Sequence, residues 1–200
     1  MTIQREVWEG EFGNAYTDRN VIDWRMRLPA FRQVLEGLPI RRILEVGCNR
    51  GHNLLALSDI LGTETEIVGL EPNHHALEQA RAASTQVAAL YGYAQDIPFK
   101  NEYFDLVFTA GVLIHIPLVD LGAVLVEICR VSRRYVLCIE YFAEEDTAIP
   151  YRGHDDLLWK RNFLRHYQVQ CPELTLVNSG YWGPEHGFDR VHWWLLEKTR

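Results

Sequence analysis

Short, continuous apolar runs alternate with amphipathic stretches through the middle of the chain. The apolar runs cover residues 43–46, 66–70, 87–91, 104–109 and 135–139. Helical spacing of apolar residues covers residues 52–61, 74–85 and 118–131. Apolar strands that alternate with amphipathic helices are typical of a parallel sheet covered by helices on both faces. The pattern therefore predicts an α/β fold built on a Rossmann-like, doubly wound sheet that is mostly parallel.

The N-terminal part of the chain departs from this alternation. Residues 1–20 are polar and aromatic, and we interpret them as a flap. A helical pattern then begins at Asn20, as the N-cap, and reaches Leu35, with a kink expected at Pro29.

The C-terminal part departs from it as well. A helix-like stretch over residues 154–167 precedes two strand-like runs, 174–178 and 191–197, which Pro184 and Gly187 separate. Two consecutive strands with a turn-rich connection predict an antiparallel hairpin at one end of the sheet. We divide the chain into an N-terminal helical flap and a single domain, residues 1–39 and 40–200.

Composition narrows the class of protein. The chain has 200 residues, of which 48% are hydrophobic and 24% charged, as in ordinary globular domains. Its net charge of −7 argues against a protein that binds nucleic acid, and no apolar run approaches the roughly 18 residues of a membrane span. The four cysteines show no metal-type spacing, and no histidine framework for a metal is present. With no apolar leader at the N-terminus, we expect a cytoplasmic protein that acts on a small molecule without a metal. The sequence does not set its oligomeric state.

The first apolar run ends in a turn that carries two glycines and leads into a predicted helix: Glu45-Val46-Gly47-Cys48-Asn49-Arg50-Gly51. Glycine at such a turn lets the backbone approach a ligand, and the helix N-terminus faces it. The second run is followed by Glu71, 20 residues after Gly51. An acid at about that distance is placed to accept hydrogen bonds from ribose hydroxyls. The combination predicts a site for an adenosine-type nucleoside.

Four ordered segments resemble the motifs of class I S-adenosylmethionine-dependent methyltransferases. The glycine turn resembles the first motif, with Asn49 where a glycine is usual, and Glu71 matches the ribose-binding acid. Residues 95–99 resemble the adenine loop, in which Asp96 would take the exocyclic amine. Residues 104–116, which include His115, resemble the fourth strand and the segment after it. The resemblance covers residues 40–141 and implies S-adenosylmethionine as the cofactor. The implied cofactor site comprises Tyr16, Arg19, Asn20, Glu45, Gly47, Cys48, Gly51, Glu71, Pro72, Asp96, Ile97 and Ala110.

A narrower resemblance lies outside these motifs. Residues 11–20 and 151–161 resemble methylases associated with pseudaminic acid biosynthesis, which implies a sugar-related acceptor. Similarity to nucleotide-aminosugar N-methyltransferases would place Tyr16 and His115 at the acceptor amine. The predicted catalytic residues are His115, Tyr16 and Glu140, and the predicted substrate-binding residues are Tyr141, Arg152 and His154.

Each of these residues has a structural alternative. Glu71 could cap the following helix, Asp96 could make a turn before Pro98, and His115 could be a histidine of the hydrophobic core. His154 could belong, with Asp155 and Asp156, to a polar helix start. The predicted function is methyl transfer from S-adenosylmethionine to an amino or hydroxyl group of a sugar or sugar nucleotide. The alternatives are an NAD-type oxidoreductase and a non-catalytic adenosyl-binding module.

Overall fold

The computed structural model describes residues 3–199, so residues 1, 2 and 200 of the predicted flap and domain lie outside the described residues. Its helices are α1 (Ile3–Glu9), α2 (Glu11–Arg19), α3 (Leu28–Leu35), α4 (His52–Leu61), α5 (His74–Ala83), α6 (Leu118–Val131) and α7 (Phe163–Gln170). Its strands are β1 (Arg42–Val46), β2 (Glu66–Glu71), β3 (Ala88–Tyr91), β4 (Phe104–Ala110), β5 (Ser132–Glu140), β6 (Thr147–Ala148), β7 (Trp159–Lys160), β8 (Leu174–Trp182) and β9 (Val191–Lys198).

Seven strands form one sheet in the order β3-β2-β1-β4-β5-β9-β8. The first five are parallel, whereas β9 runs antiparallel to β5 and β8 antiparallel to β9. The predicted fold class and the C-terminal hairpin are therefore confirmed. The chain runs outward from β1 to β3 and then returns to β4 on the other side of β1. In sheets of this type, ligands bind at such a switch point, beyond the carboxyl ends of the strands.

The sheet separates two hydrophobic clusters. Ile43 of β1 faces the cluster that contains Phe31 of α3, whereas its neighbour Leu44 faces the cluster that contains Val124 of α6. This division follows from the pleat, which sends successive side chains to opposite faces. Phe31 is fully buried and lies 5.9 Å from the ring of Phe108, and truncation of such a residue to alanine costs about 3–5 kcal/mol. Helix α3 thus belongs to the hydrophobic core, although the predicted boundary at residue 39 assigns it to the N-terminal flap. The division of the chain at that residue stays a prediction.

The prediction that a helix begins at Asn20 is wrong. Asn20 is the C-cap of α2, and its backbone N–H and its side-chain amide both donate to the Tyr16 carbonyl. Asp23 instead caps a 3-10 turn over Trp24–Arg27, and α3 begins at Leu28. Pro29 lies in the first turn of α3, where a missing N–H leaves no helical hydrogen bond unmade, so no kink results.

The helix predicted over residues 154–167 is also misplaced. Arg152 and Gly153 adopt positive φ angles of 50° and 86°, and a bridge joins Tyr151 to His154. This turn belongs to the segment that carries the short antiparallel pair β6–β7. Helix α7 begins only at Phe163, where the Asn162 side chain accepts from the Arg165 N–H.

Candidate active site

A cleft with about 950 Å³ of empty space, part of it open solvent, lies at the carboxyl ends of β1, β2 and β4. Its position at the switch point of the sheet is where a ligand is expected. The lining residues come from the strand ends, from the loops after them, and from helices α1 and α2. They are Arg5, Trp8, Tyr16, Val46, Gly47, Asn49, Leu70, Glu71, Pro72, Gly92, Tyr93, Ala94, Gln95, Ala110, Gly111, Val112, His115, Ile116 and Pro117.

The turn after β1 forms one wall of the cleft. Gly47 has a φ of 76°, and a Cβ there would lie 2.5 Å from Val112 Cγ2, so the turn passes close to the loop after β4 only because this residue is glycine. Asn49 also has a positive φ, 46°, which asparagine tolerates better than most residues. The departure from the family's glycine pattern therefore leaves the backbone of the turn intact.

Glu71 ends β2 at the opposite side of this turn. Its Oε2 accepts from the Asn49 N–H at 2.8 Å, and its Oε1 accepts from the Asn73 N–H at 2.9 Å. The side chain is buried, and this burial raises the pKa of Glu71 to about 7 despite both backbone donors. Each carboxylate oxygen has a second lone pair, so Glu71 can still accept hydrogen bonds from two ribose hydroxyls.

Helices α1 and α2, here called the lid, are attached to the two residues that donate to Glu71. The Asn73 side-chain amide donates to the Trp8 carbonyl and to Asn14 Oδ1, both at 2.9 Å. The Asn49 amide donates to Thr17 Oγ1 at 3.1 Å. Sequence reasoning placed Asn49 in the glycine turn without a role of its own, and it missed Asn73 and Trp8 as site residues. The polar positions Asn14 and Thr17 in the N-terminal flap were a signal of this attachment, but they do not identify their partners.

The lid also contacts the loop after β3. The Tyr93 hydroxyl donates to Glu9, and the guanidinium of Arg5 lies 3.1 Å from the centre of the Tyr93 ring. Tyr93 and Arg5 line the cleft, and Tyr93 lies two residues beyond the end of β3. These contacts make α1 a wall of the cleft.

His115 lies on the wall formed by the loop after β4. Its Nδ1 is 2.6 Å from the Leu157 carbonyl, and because a carbonyl only accepts, Nδ1 carries the proton. Burial lowers the pKa of His115 to about 4, so the imidazole is neutral at physiological pH. Its Nε2 is then a hydrogen-bond acceptor without a partner among residues 5–199. The rings of Trp8 and Tyr16 lie 4.4 and 6.4 Å from the imidazole, and burial raises the pKa of Tyr16 to about 12, which keeps it a phenol.

Glu140 supports the His115 loop, defined here as residues 111–117. Its Oε1 accepts from the N–H groups of Val112 and Leu113, both at 3.1 Å, and its Oε2 accepts from the Ile114 N–H at 3.3 Å. The side chain is fully buried and does not line the cleft. Burial raises the pKa of Glu140 to about 7. The structure thus places this predicted catalytic residue behind the loop that carries His115.

Five predicted cofactor residues line the cleft together: Tyr16, Gly47, Glu71, Pro72 and Ala110. Cys48 and Ile97 are buried without lining it, Gly51 is the left-handed N-cap of α4, and Arg19, Asn20 and Asp96 are exposed away from it. Glu45 lies beneath α4, where its Oε1 accepts from the Asn53 amide at 2.5 Å. Burial raises the pKa of Glu45 to about 8.

The predicted substrate-binding residues do not line the cleft itself. The Tyr141 hydroxyl donates to Asp189 at 2.8 Å. Arg152 and His154 are exposed in the turn described above, and the His154 ring lies 5.6 Å from Phe12 of the lid. This turn therefore borders the lid from the outside.

Among residues 3–199, one group could offer three ligands to a metal ion: Cys129, Cys171 and Glu173. It lies at α6 and the C-terminal end of α7, and none of its members lines the cleft. No helix within the same range is long and apolar enough to cross a membrane.

Known proteins similar to this chain share its central segment and its fold. Residues 43–134 match the family model of the methyltransferase domain. An uncharacterized methyltransferase of Schizosaccharomyces pombe is 32% identical over 130 residues, which are 58% of this chain and 46% of the relative. A demethylmenaquinone methyltransferase of Shouchella clausii is 31% identical over 104 residues, which are 48% of this chain and 43% of the relative. The chain thus spans less than half the length of either curated relative.

Among solved structures, the fold is similar to that of 1,6-didemethyltoxoflavin-N1-methyltransferase from Burkholderia thailandensis, crystallised with 1,6-didemethyltoxoflavin and S-adenosylhomocysteine. The TM-score is 0.74 at 16% identity, over 100% of this chain and 92% of that chain. Residues 43–134 thus match a methyltransferase domain, and the chain has a fold similar to that of a solved methyltransferase. The methyltransferase domain that the sequence motifs predict is confirmed over residues 43–134.

Proposed function

We propose that this protein transfers a methyl group from S-adenosylmethionine to a nitrogen or oxygen atom of a small molecule. One observation carries the proposal: the carboxylate of Glu71 and the neutral imidazole of His115 line the same cleft at the switch point of the sheet. A ribose-binding acid and a hydrogen-bond acceptor for the nucleophile are the two groups that such a reaction needs from the protein.

The cleft fits the adenosyl group. It lies beside the Glu71 carboxylate and opens to solvent, and the Gly47 turn brings the backbone close to any ligand beside Glu71. The indole Nε1 of Trp8 is buried without a hydrogen-bond partner among the described residues, which suits a lid residue whose partner is a ligand. When bound, S-adenosylmethionine supplies a methyl group on a positively charged sulfur, a leaving group that needs no further activation.

His115 would orient the acceptor. An acceptor N–H or O–H that donates to Nε2 aims its lone pair into the cleft, and alignment of this kind supplies much of the rate enhancement of a displacement. With a pKa of about 4, His115 is a weak base, which suits an amine better than a hydroxyl. Tyr16 remains protonated and can donate a hydrogen bond to the same acceptor.

For the acceptor, we propose an amino or hydroxyl group of a sugar or sugar nucleotide, of the kind associated with pseudaminic acid biosynthesis. The support is the sequence resemblance of residues 11–20 and 151–161. Arg152 and His154, exposed beside the lid, are suited to the phosphates of a sugar nucleotide. The named relatives act on other small molecules, demethylmenaquinone and didemethyltoxoflavin. We also propose a cytoplasmic location, which fits four free cysteines.

The test combines binding with turnover. Titration calorimetry compares S-adenosylhomocysteine with NAD, and mass spectrometry follows a trideuterated methyl group from S-adenosylmethionine to a panel of amino sugars, sugar nucleotides, quinols and heteroaromatic amines. We expect His115→Gln to lower turnover about 10²-fold and to change the affinity for S-adenosylhomocysteine less than threefold. The matched control is His186→Gln, because His186 pairs with Glu185 outside the cleft.

Three outcomes would contradict the proposal in different ways. Binding of NAD without S-adenosylhomocysteine would indicate an oxidoreductase. Binding of S-adenosylhomocysteine without transfer to any member of the panel would indicate an adenosyl-binding module. Transfer to a quinol or heteroaromatic amine but to no sugar would retain the methyltransferase and reject the sugar acceptor.

A further inference from the structure

Two buried side chains of opposite charge hold the backbone of the His115 loop. Glu140 accepts from three consecutive N–H groups of the loop, as described above. Arg161 donates from Nη1 to the carbonyls of Leu113 and Ile116, at 3.3 and 2.8 Å. Leu113 begins the 3-10 turn Leu113–His115, and Ile116 follows it. The turn that presents the imidazole is therefore fixed through both its donors and its acceptors.

The segment that carries Arg161 also fixes the imidazole ring. Leu157, whose carbonyl accepts a hydrogen bond from His115 Nδ1–H, lies four residues before Arg161. The Arg161 backbone N–H donates to the Tyr141 carbonyl at 3.4 Å, which joins this segment to the end of β5. Rotation of the ring and displacement of the turn are thus both opposed by residues 157–161.

Burial of the Arg161 guanidinium in this position lowers the stability of the fold unless its partners compensate. Its side chain is 1% exposed, and its ion pair is formed at 3.4 Å with Asp146, which is 35% exposed. A guanidinium taken out of water costs free energy that a single partner at the protein surface offsets only in part, and an apolar side chain of similar size often gives a fold that is at least as stable. The hydrogen bonds of Arg161 to the loop therefore indicate a role other than stabilisation of the fold.

We propose that Arg161 is a positioning residue for methyl transfer. It holds the His115 loop so that Nδ1 stays protonated against Leu157 and Nε2 remains the acceptor for the methyl-accepting group. This role rests on the proposed function of His115. Arg161 itself does not line the cleft in which cofactor and acceptor would bind.

The experiment measures the tautomer of His115 directly. Protein with ¹⁵N-labelled histidine is titrated by NMR for wild type, Arg161→Met, Arg161→Lys and the matched control Arg165→Met, which changes an exposed arginine of α7. Calorimetry with S-adenosylhomocysteine follows the cofactor site in the same proteins.

In Arg161→Met we expect the single Nδ1–H tautomer of His115 to be lost and its pKa to move away from about 4, because the burial that lowers this pKa and the Leu157 hydrogen bond that raises it both depend on the position of the loop. The affinity for S-adenosylhomocysteine should change less than about threefold, because Arg161 lies outside the cleft. Arg161→Lys should restore part of the wild-type behaviour, because a lysine can still donate to a carbonyl, and Arg165→Met should match wild type. A purely structural role would lower the melting temperature and leave the tautomer unchanged.

A folded Arg161→Met protein with the wild-type tautomer and titration of His115 would overturn the proposal. If that variant does not fold, Arg161→Lys and Asp146→Asn decide the question, and wild-type behaviour of His115 in both would overturn it equally. Failure of wild type to bind S-adenosylhomocysteine would reject the proposed function, whereas the NMR titration would still decide whether Arg161 fixes the imidazole.

Discussion

The pKa of Glu71 leads to a pH dependence of cofactor binding. Burial raises this pKa from 4.5 to about 7, so the carboxyl group loses its proton near neutral pH. Only the ionised form presents acceptors on both oxygens to the ribose hydroxyls. Because ionisation increases as the pH rises through the folded-state pKa, affinity for S-adenosylhomocysteine should increase with pH over the same interval.

The magnitude follows from the titration curve. With a pKa of about 7, the ionised fraction is about 9% at one pH unit below it and about 91% at one unit above it. Affinity should therefore increase about tenfold between about pH 6 and pH 8, which corresponds to about 1.4 kcal/mol of binding free energy. A carboxyl group with an unshifted pKa of 4.5 would be almost fully ionised throughout this range and would give a nearly flat profile.

The assay is titration calorimetry with S-adenosylhomocysteine at three pH values for wild type, Glu71→Gln and Glu144→Gln. Glutamine keeps the shape of Glu71 but does not titrate, so Glu71→Gln should bind more weakly and without the tenfold change. Glu144 is exposed in the loop after β5, and its replacement should retain the wild-type slope. A flat profile in wild type, or the same slope in Glu71→Gln, would refute the reasoning.

Two further predictions concern the lid and the buried carboxyl group under α4. A Cβ at Gly13 would lie 1.9 Å from the Trp8 carbonyl oxygen and 2.8 Å from the Asn73 amide, so Gly13→Ala should separate the lid from Asn73 and raise the Kd for S-adenosylhomocysteine about tenfold, the equivalent of one or two net hydrogen bonds. For Glu45, burial raises the pKa from 4.5 to about 8. The folded chain holds this proton more tightly than the unfolded chain, so its contribution to stability is greatest below pH 4.5 and is lost as the pH rises to about 8. Glu45→Gln should therefore gain melting temperature relative to wild type on going from acidic to alkaline buffer.

The controls for these two variants differ. Ala15→Gly changes an exposed position of α2 and should weaken binding far less than Gly13→Ala, although glycine lowers helix propensity by about 1 kcal/mol. An unchanged Kd in Gly13→Ala would mean that the lid does not contribute to cofactor binding. For Glu45→Gln, a difference in melting temperature that stays constant with pH would mean that the pKa of Glu45 is the same in the folded and the unfolded chain, and it would contradict the prediction.

The sequence predicted those parts of the molecule whose determinants are local. Each buried strand is a continuous apolar run, and Gly47 and Glu71 stand at spacings that a strand-turn-helix unit and the next strand impose. The attachment of the lid could not be predicted in this way, because the Asn73 amide and the Trp8 carbonyl that it binds are 65 residues apart. Glu140 shows the same limit. Its place at the carboxyl end of a strand favoured a catalytic role. The direction of its side chain, however, depends on the His115 loop, whose backbone N–H groups donate to it.

Asn49 illustrates how a departure from a family pattern can have a structural reason. A glycine in this place would adopt the positive φ at least as easily, but it could not donate to Thr17 of the lid. The backbone N–H groups of Asn49 and Asn73 both donate to Glu71. The Asn73 side chain in addition donates to the Trp8 carbonyl of the lid. The carboxylate of Glu71 is thus fixed by two residues that also fix the lid. A displacement of the lid must therefore disturb the donors of Glu71. For this reason Gly13→Ala, which adds one methyl group far in sequence from both asparagines, is expected to weaken binding of the cofactor.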